Sequence, residues 1–392
     1  MANFITEFEK GQKGGNKGIA MGDGIINISS AINGLQRGRI YVIAAPPKAG
    51  KSTFTDYGFV LEPYLEALKA NRLDDIEWIY YSFELDRISK EFDFAAYFLY
   101  VDFGISHIDL PEGVTKTINK QKLTKIPMSP DYLRGRILAD SKELGKPGEI
   151  IKVSDEILEK LKTVYKTRII PLFGEYTMKG EQLSKGKIIF IEEKNNPTGL
   201  YKELKDYAKQ NGTFIKSKVN GSEKYERITG YTPNNPNKFT IVVTDHLRKL
   251  IPERGWKMKE TVDKYSEYTV ELRNWCQFTF AHIIHLNRSL SDEQRLKSAR
   301  DMLYPTAEDI KDTGNLSEDA DYVFTLFNPN DERYKLDKHF GTKIKDSNGN
   351  PYYPFLRTVH LVESRHCMYP QHFRVEMHGG TKTFKQIEIK ER

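Results

Sequence analysis

The chain has 392 residues, of which 39% are hydrophobic, 29% charged and 12% aromatic, a composition that excludes a disordered or membrane-embedded chain and suits one large globular domain or two ordinary ones. No stretch approaches the roughly 20 apolar residues that span a bilayer, and Glu7 and Glu9 interrupt Phe4, Ile5 and Phe8, so the start lacks the apolar segment of a signal peptide and a cytoplasmic location is expected. Two cysteines, Cys276 and Cys367, are too few for a disulfide framework or a cysteine metal site, and the net charge of +6, from 60 basic against 54 acidic residues, permits a polyanionic partner without requiring one.

In chain order, short continuously apolar runs predict strands buried on both faces at Arg39–Ala45, Ile76–Phe83, Lys187–Glu192, Thr240–Asp245, Phe278–Ile284 and Tyr322–Phe327. Helical patterns separate most of them, which predicts an α/β fold with a mainly parallel sheet. The stretch 104–185 interrupts this rhythm as an insert. Ser154, followed by Asp155 and Glu156 and later by Lys166 and Arg168, predicts a capped helix within it, so the insert is expected to be folded. Polar residues and Asn-Gly and Pro-Asn-Asn-Pro signals predict a long surface loop over 212–238. Thr358–Ser364, Phe373–Met377 and Phe384–Ile389, separated by turn residues, predict antiparallel hairpins at a sheet edge.

The sharpest chemical signal directly follows the first strand: Ala45, Pro46, Pro47, Lys48, Ala49, Gly50, Lys51, Ser52 and Thr53, with a helix expected to start near Ser52. A strand, a loop, Gly-Lys-Ser and a helix form the setting in which backbone N–H groups cradle phosphates. In that setting Lys51 neutralises the β- and γ-phosphates of ATP and Ser52 ligates magnesium. Ala45 stands where the common pattern has glycine. Three further strand ends carry polar residues. Glu84 is a candidate base for the water that attacks the γ-phosphate, although alone it reads as a solvated glutamate. Asp245 is a candidate for the magnesium shell, or a helix cap. His285 is a candidate γ-phosphate sensor, or a structural histidine. In open α/β sheets ligands bind at the carboxyl edge, where all of these lie.

The order of these motifs resembles the ATPase domain of DnaB-like replicative helicases, ring motors with a RecA-like core. Ile40–Ala45 with Pro47 and Gly50–Ser52 looks like that family's strand and phosphate loop, Tyr81–Leu85 like its catalytic-glutamate strand, Val242–Leu247 like its acidic strand and His285–Leu290 like its sensor motif. Asp309–Val323 is similar to the family's DNA-binding loop and the strand after it. The resemblance covers about 19–103 and 187–390 and implies one ATPase domain over 19–392, with residues 1–18 as a linker that docks on an adjacent subunit.

By this resemblance Arg288, Lys311, Asp312 and Gly314 contact single-stranded DNA, and Arg365 supplies a finger to the ATP of a neighbouring protomer. The finger's companion lysine, two positions earlier, is here Glu363. The resemblance further implies ATP and Mg2+ as cofactors, a hexameric homo-oligomeric ring, a phage type, a role in DNA replication, and a primase or loader as possible partner. Two other readings share the phosphate loop: a filament-forming RecA-like recombinase, and a non-motor structural protein that binds ATP.

Overall fold

The computed structural model describes residues 18–388, except 119–120, 142–145, 178–180, 219–225, 288–289, 291 and 314. The expected linker, Gly18 apart, lies outside them. The described residues divide into two compact units: 18–84, 191–376 and 384–388 in one, and 85–190 with 377–383 in the other.

The first unit is built on the mainly parallel sheet expected from the apolar runs. Its strands are β1 (Ile40–Ala45), β2 (Ile76–Ser82), β3 (Phe239–Asp245), β4 (Thr279–His285), β5 (Tyr322–Phe327), β6 (Leu356–Ser364), β7 (Gln371–His378) and β8 (Thr383–Gln386), in the spatial order β8-β7-β6-β5-β1-β4-β3-β2. The strands β1 to β5 run parallel, and β6 and β7 pair antiparallel at the other side. Every residue of β1, β3 and β5 is buried, which is why these strands read as unbroken apolar runs.

Helices cover both faces of β2. Trp78 donates through Nε1 to the Phe59 carbonyl at 2.8 Å, and the Tyr80 hydroxyl bonds Asp56 at 2.7 Å, so alternate residues of β2 grip the helix that follows the phosphate loop. The intervening Tyr81 reaches Glu203, on the helix Pro197–Asn211, at 3.3 Å. Each fully buried large apolar side chain of such a core contributes roughly 2 kcal/mol. Among the described residues no helix is long and apolar enough to cross a membrane.

The surface loop expected over 212–238 is instead a hairpin, Gly212–Lys218 against Glu226–Pro233. Packing overrides the polar composition here: Phe214 and Tyr231 lie 5.3 Å apart, and Phe214 also meets Trp275 at 6.4 Å.

In the second unit the helix Arg87–Phe103 carries the contacts. Arg168 forms a two-pronged bond to Asp102 at 2.9 and 3.0 Å, and Arg134 donates to Ser89 at 2.7 Å. The helix expected after Ser154 is present as Asp155–Val164, with the Ser154 hydroxyl accepting the Ile157 N–H. The folded unit begins at Leu85, ahead of the expected insert boundary at Gly104, because the helix Arg87–Phe103 packs with the insert's helices.

Asp321, just ahead of β5, is the buried ionic hub of the first unit. It accepts from His366 at 2.7 Å, the Ile40 N–H at 2.9 Å, Arg273 at 3.1 Å and Arg39 at 3.4 Å. Burial pushes its carboxyl up, but the His366 bond, the Ile40 N–H and the two guanidinium groups outweigh burial and hold it below the ordinary carboxylate value. Removing one partner of such a cluster strands the others, so Asp321→Ala is expected to lower stability by about 3 kcal/mol in urea unfolding at pH 7. The sign with pH follows from the depressed value. The contribution is complete above the unfolded carboxyl pKa of about 3.9 and disappears as the pH falls through the lower folded value. The gap between wild type and variant should therefore narrow only below about pH 4; a gap that closes already between pH 7 and 5 would contradict this assignment.

Candidate nucleotide site

The carboxyl ends of four parallel strands meet at one edge. The register pairs Ala45 with His285 across β1 and β4, Asp245 with Ile283 across β3 and β4, and Asp245 with Ser82 across β3 and β2. Open α/β sheets bind ligands at this edge because the strand-to-helix turns there leave backbone N–H groups unpaired.

The phosphate-loop segment turns sharply out of β1. Pro47 and Lys48 are exposed, Ala49 is buried, and Gly50 sits at φ 100°, a conformation that favours glycine. A continuous helix begins at Lys51, running as Lys51–Thr55, a π-helical stretch Asp56–Leu61, and Glu62–Lys69. Ser52 and Thr53 are half-buried in its first turn, with Ser52 one residue beyond the lysine.

Lys51 is buried, and its Nζ lies 3.3 Å from His285 Nε2. An ammonium has no acceptor, so the imidazole nitrogen accepts. Burial lowers the Lys51 pKa, opposed by the charges of Asp245 and Glu84. Burial, and then Lys51, lower that of His285. His246, next to Asp245, is pushed down to about 2 by burial, then by His285 and Lys51. Both imidazoles are uncharged at neutral pH, leaving Lys51 as the cation facing two carboxylates.

Asp245 ends β3 buried, and its carbonyl accepts the Phe83 N–H at 2.7 Å, which fixes the turn leading to exposed Glu84. The residues fit a magnesium nucleotide. Among the described residues no group of three or more His, Cys, Asp or Glu side chains has the geometry for a metal ion, and magnesium in such sites relies on one or two protein oxygens plus phosphates and water. Ser52 and Asp245 supply two oxygens of that kind.

The structure brings Lys51, Ser52, Asp245, His285 and Glu84 to one edge, and it keeps Arg365 away. In the antiparallel pairing Ser364 lies opposite Tyr322, the first residue of β5, so Arg365 sits by the amino ends of the parallel strands. The length of a six-residue strand, about 20 Å, separates the two edges. There the Arg365 guanidinium bonds the Glu318 carbonyl, and Glu363, whose pKa burial raises, occupies the expected companion position.

Lys311 and Asp312 belong to the 3-10 turn Ala307–Thr313, with side chains outside the described residues; Arg288 and Gly314 lie outside them entirely. The base of this turn is held by Asp309, which is buried and accepts from Arg295 at 2.5 and 2.9 Å and from the Thr306 N–H at 2.8 Å. Its carbonyl accepts the Asn287 N–H at 3.2 Å, tying the turn to the residue two past His285. Neither the Asp309 clamp nor the placement of His246 was legible from strand-end chemistry. An aspartate ahead of a glycine-containing loop and a histidine beside the acidic strand end are the only sequence signals for them.

No family model and no curated protein matches the sequence. Among solved structures, one described as an ATPase domain is similar at TM-score 0.58 and 13% identity, over 99% of this chain and 98% of that one. A DnaB-like replicative helicase, described with its interactions with primase, is similar at TM-score 0.59 and 13% identity over 98% of this chain. This chain spans 66% of that protein's length. At such identities the likeness is one of fold, and the chain has the RecA-like α/β fold of DnaB-like helicase ATPase domains.

Proposed function

We propose that the chain is the ATP-hydrolysing motor of a ring helicase that moves on single-stranded DNA in replication. The observation that carries this reading is the convergence of Lys51, Ser52, Asp245, His285 and Glu84 on one sheet edge, while Arg365 lies at the other. A magnesium ion held with Ser52 and Asp245 would supply charge neutralisation at the phosphates. Lys51 binds the β- and γ-phosphates, and the loop N–H groups around Gly50 orient them. Glu84 takes the proton of the attacking water, and His285, already bonded to Lys51, registers the γ-phosphate.

Arg365 is too far from its own subunit's site to take part there. Its guanidinium serves the site of a neighbouring protomer, which requires the homo-oligomeric ring, a hexamer by the family resemblance. By the family resemblance, Lys311, Asp312, Gly314 and Arg288 are the residues that meet the DNA backbone. The bond from Asn287 to Asp309 links the strand carrying His285 to the turn carrying Lys311, and gives phosphate sensing a short physical route to that surface. A primase or loader is the expected partner class.

Strand displacement tests this reading. With ATP, the protein should separate a duplex that carries single-stranded tails on both arms, and hydrolysis without displacement would sink the motor assignment. Lys311→Ala should weaken single-stranded DNA binding and reduce the slope of log K against log salt by about 0.7, the value of one lost phosphate contact. An unchanged slope would exclude Lys311 as such a contact.

A further inference from the structure

His246 has no role in the reading above, yet its ring is tied directly to backbone at the site. It is fully buried, and its Nδ1 accepts the Arg248 N–H at 3.1 Å, capping the 3-10 turn Leu247–Lys249. A nitrogen that accepts this N–H carries no proton, so the neutral ring is protonated on Nε2. That bond fixes the tautomer and ties the ring to the backbone of its own turn, while Nε2 is buried with no hydrogen-bond partner among the described residues.

His285 likewise has one bonded and one unpartnered nitrogen, but its bond is to the end of a lysine side chain and not to backbone. Its Nε2 meets Lys51, but its buried Nδ1 has no hydrogen-bond partner among the described residues, so no such bond on that side orients the ring. The Ala45 carbonyl, which accepts the Leu286 N–H at 3.2 Å, also meets this ring closely enough to raise its pKa. The terminal torsion of a histidine has a broad and roughly two-fold profile, and a bond to the end of a flexible lysine side chain leaves the imidazole more room to turn than a bond to backbone does. What limits it is the face of His246: the two ring centroids lie 4.2 Å apart with planes inclined by 34°.

We propose that His246 is a positioning residue, whose ring, clamped by the Arg248 N–H, holds the His285 imidazole in the orientation that presents Nε2 to Lys51. The inference rests on the proposed nucleotide site and assigns His246 no contact with substrate. Its action passes through His285: misorienting that ring costs turnover and leaves phosphate capture by Lys51 and the loop in place.

Steady-state hydrolysis by the full-length chain tests this with His246→Ala, His285→Ala and the double variant. His246→Ala should lower kcat by about tenfold and move KM for ATP by no more than about twofold. The double variant should be no slower than His285→Ala, because a residue that acts through another has nothing left to act on. Effects that multiply would overturn the proposal. His246→Phe keeps a ring against His285 without the clamp and should recover part of the rate; a rate as low as that of His246→Ala would mean that the ring contact has no orienting effect. A second readout needs no turnover: nitrogen-resolved imidazole resonances of the nucleotide-free protein, with the His285 signals identified by their loss in His285→Ala. These should shift or broaden in both His246 variants, and unchanged signals would overturn the proposal. A wild-type chain that hydrolyses no ATP would remove the proposed function, and the resonance comparison alone would then decide whether His246 orients His285.

Discussion

Lys51→Ala protein is expected to hydrolyse no measurable ATP and to lose nucleotide affinity, whereas Glu84→Gln protein should bind ATP as the wild type does and turn over at least about 100-fold more slowly. The two differ because the side chains differ in task. Lys51 is buried, bonded to His285 and opposed by the charges of Asp245 and Glu84, so it is the cation that the phosphates meet. Glu84 is exposed two residues beyond β2, on a turn fixed by the Phe83 N–H bond to the Asp245 carbonyl, where it can reach water without being needed to hold phosphate. Binding of a fluorescent ATP analogue, measured beside hydrolysis, separates the two tasks. Equal loss of binding in both variants would remove Glu84 from the catalytic role.

Mixing experiments give the second large effect. Arg365→Ala and Lys51→Ala proteins should each be inactive alone, yet a mixture should regain partial activity. Some interfaces of a mixed ring pair an intact phosphate loop with an intact finger. The sheet topology separates the two groups: Ser364 pairs with Tyr322, at the amino end of β5, while Lys51, Asp245 and His285 lie at the carboxyl ends of the parallel strands. A guanidinium at that edge can stabilise transition-state charge only in another protomer. Glu363 beside it lowers the local positive charge, so the recovered rate is expected to be small. Failure of every mixing ratio, with ring assembly confirmed, would show that Arg365 is no trans-acting finger.

The parallel core was legible because β1, β3 and β5 are buried on both faces, which forces continuous apolar runs that no surface strand carries. The phosphate-loop segment was legible for a related reason, since Gly50 at φ 100° and Lys51 at the helix start are local requirements written in adjacent residues. The hairpin over 212–238 was not. Its stability comes from Phe214, Tyr231 and Trp275, residues distant in sequence, and its polar surface reads as loop. Likewise Asp321 collects Arg39, Arg273 and His366 from three separate segments, and the contact of His246 with His285 depends on the register between neighbouring strands. A pattern reader sees polar residues at strand ends, but only the fold says which of them touch.

The measurement that bears most directly on the account is the rate of ATP hydrolysis by the wild-type chain with and without single-stranded DNA. A motor whose phosphate site is tied through Asn287 and Asp309 to the turn carrying Lys311 should hydrolyse ATP slowly alone and several-fold faster when DNA is added, with Lys51→Ala inactive in both conditions. A chain that binds ATP and DNA but turns over no faster with DNA would instead be a structural protein on the same fold, and would contradict the account.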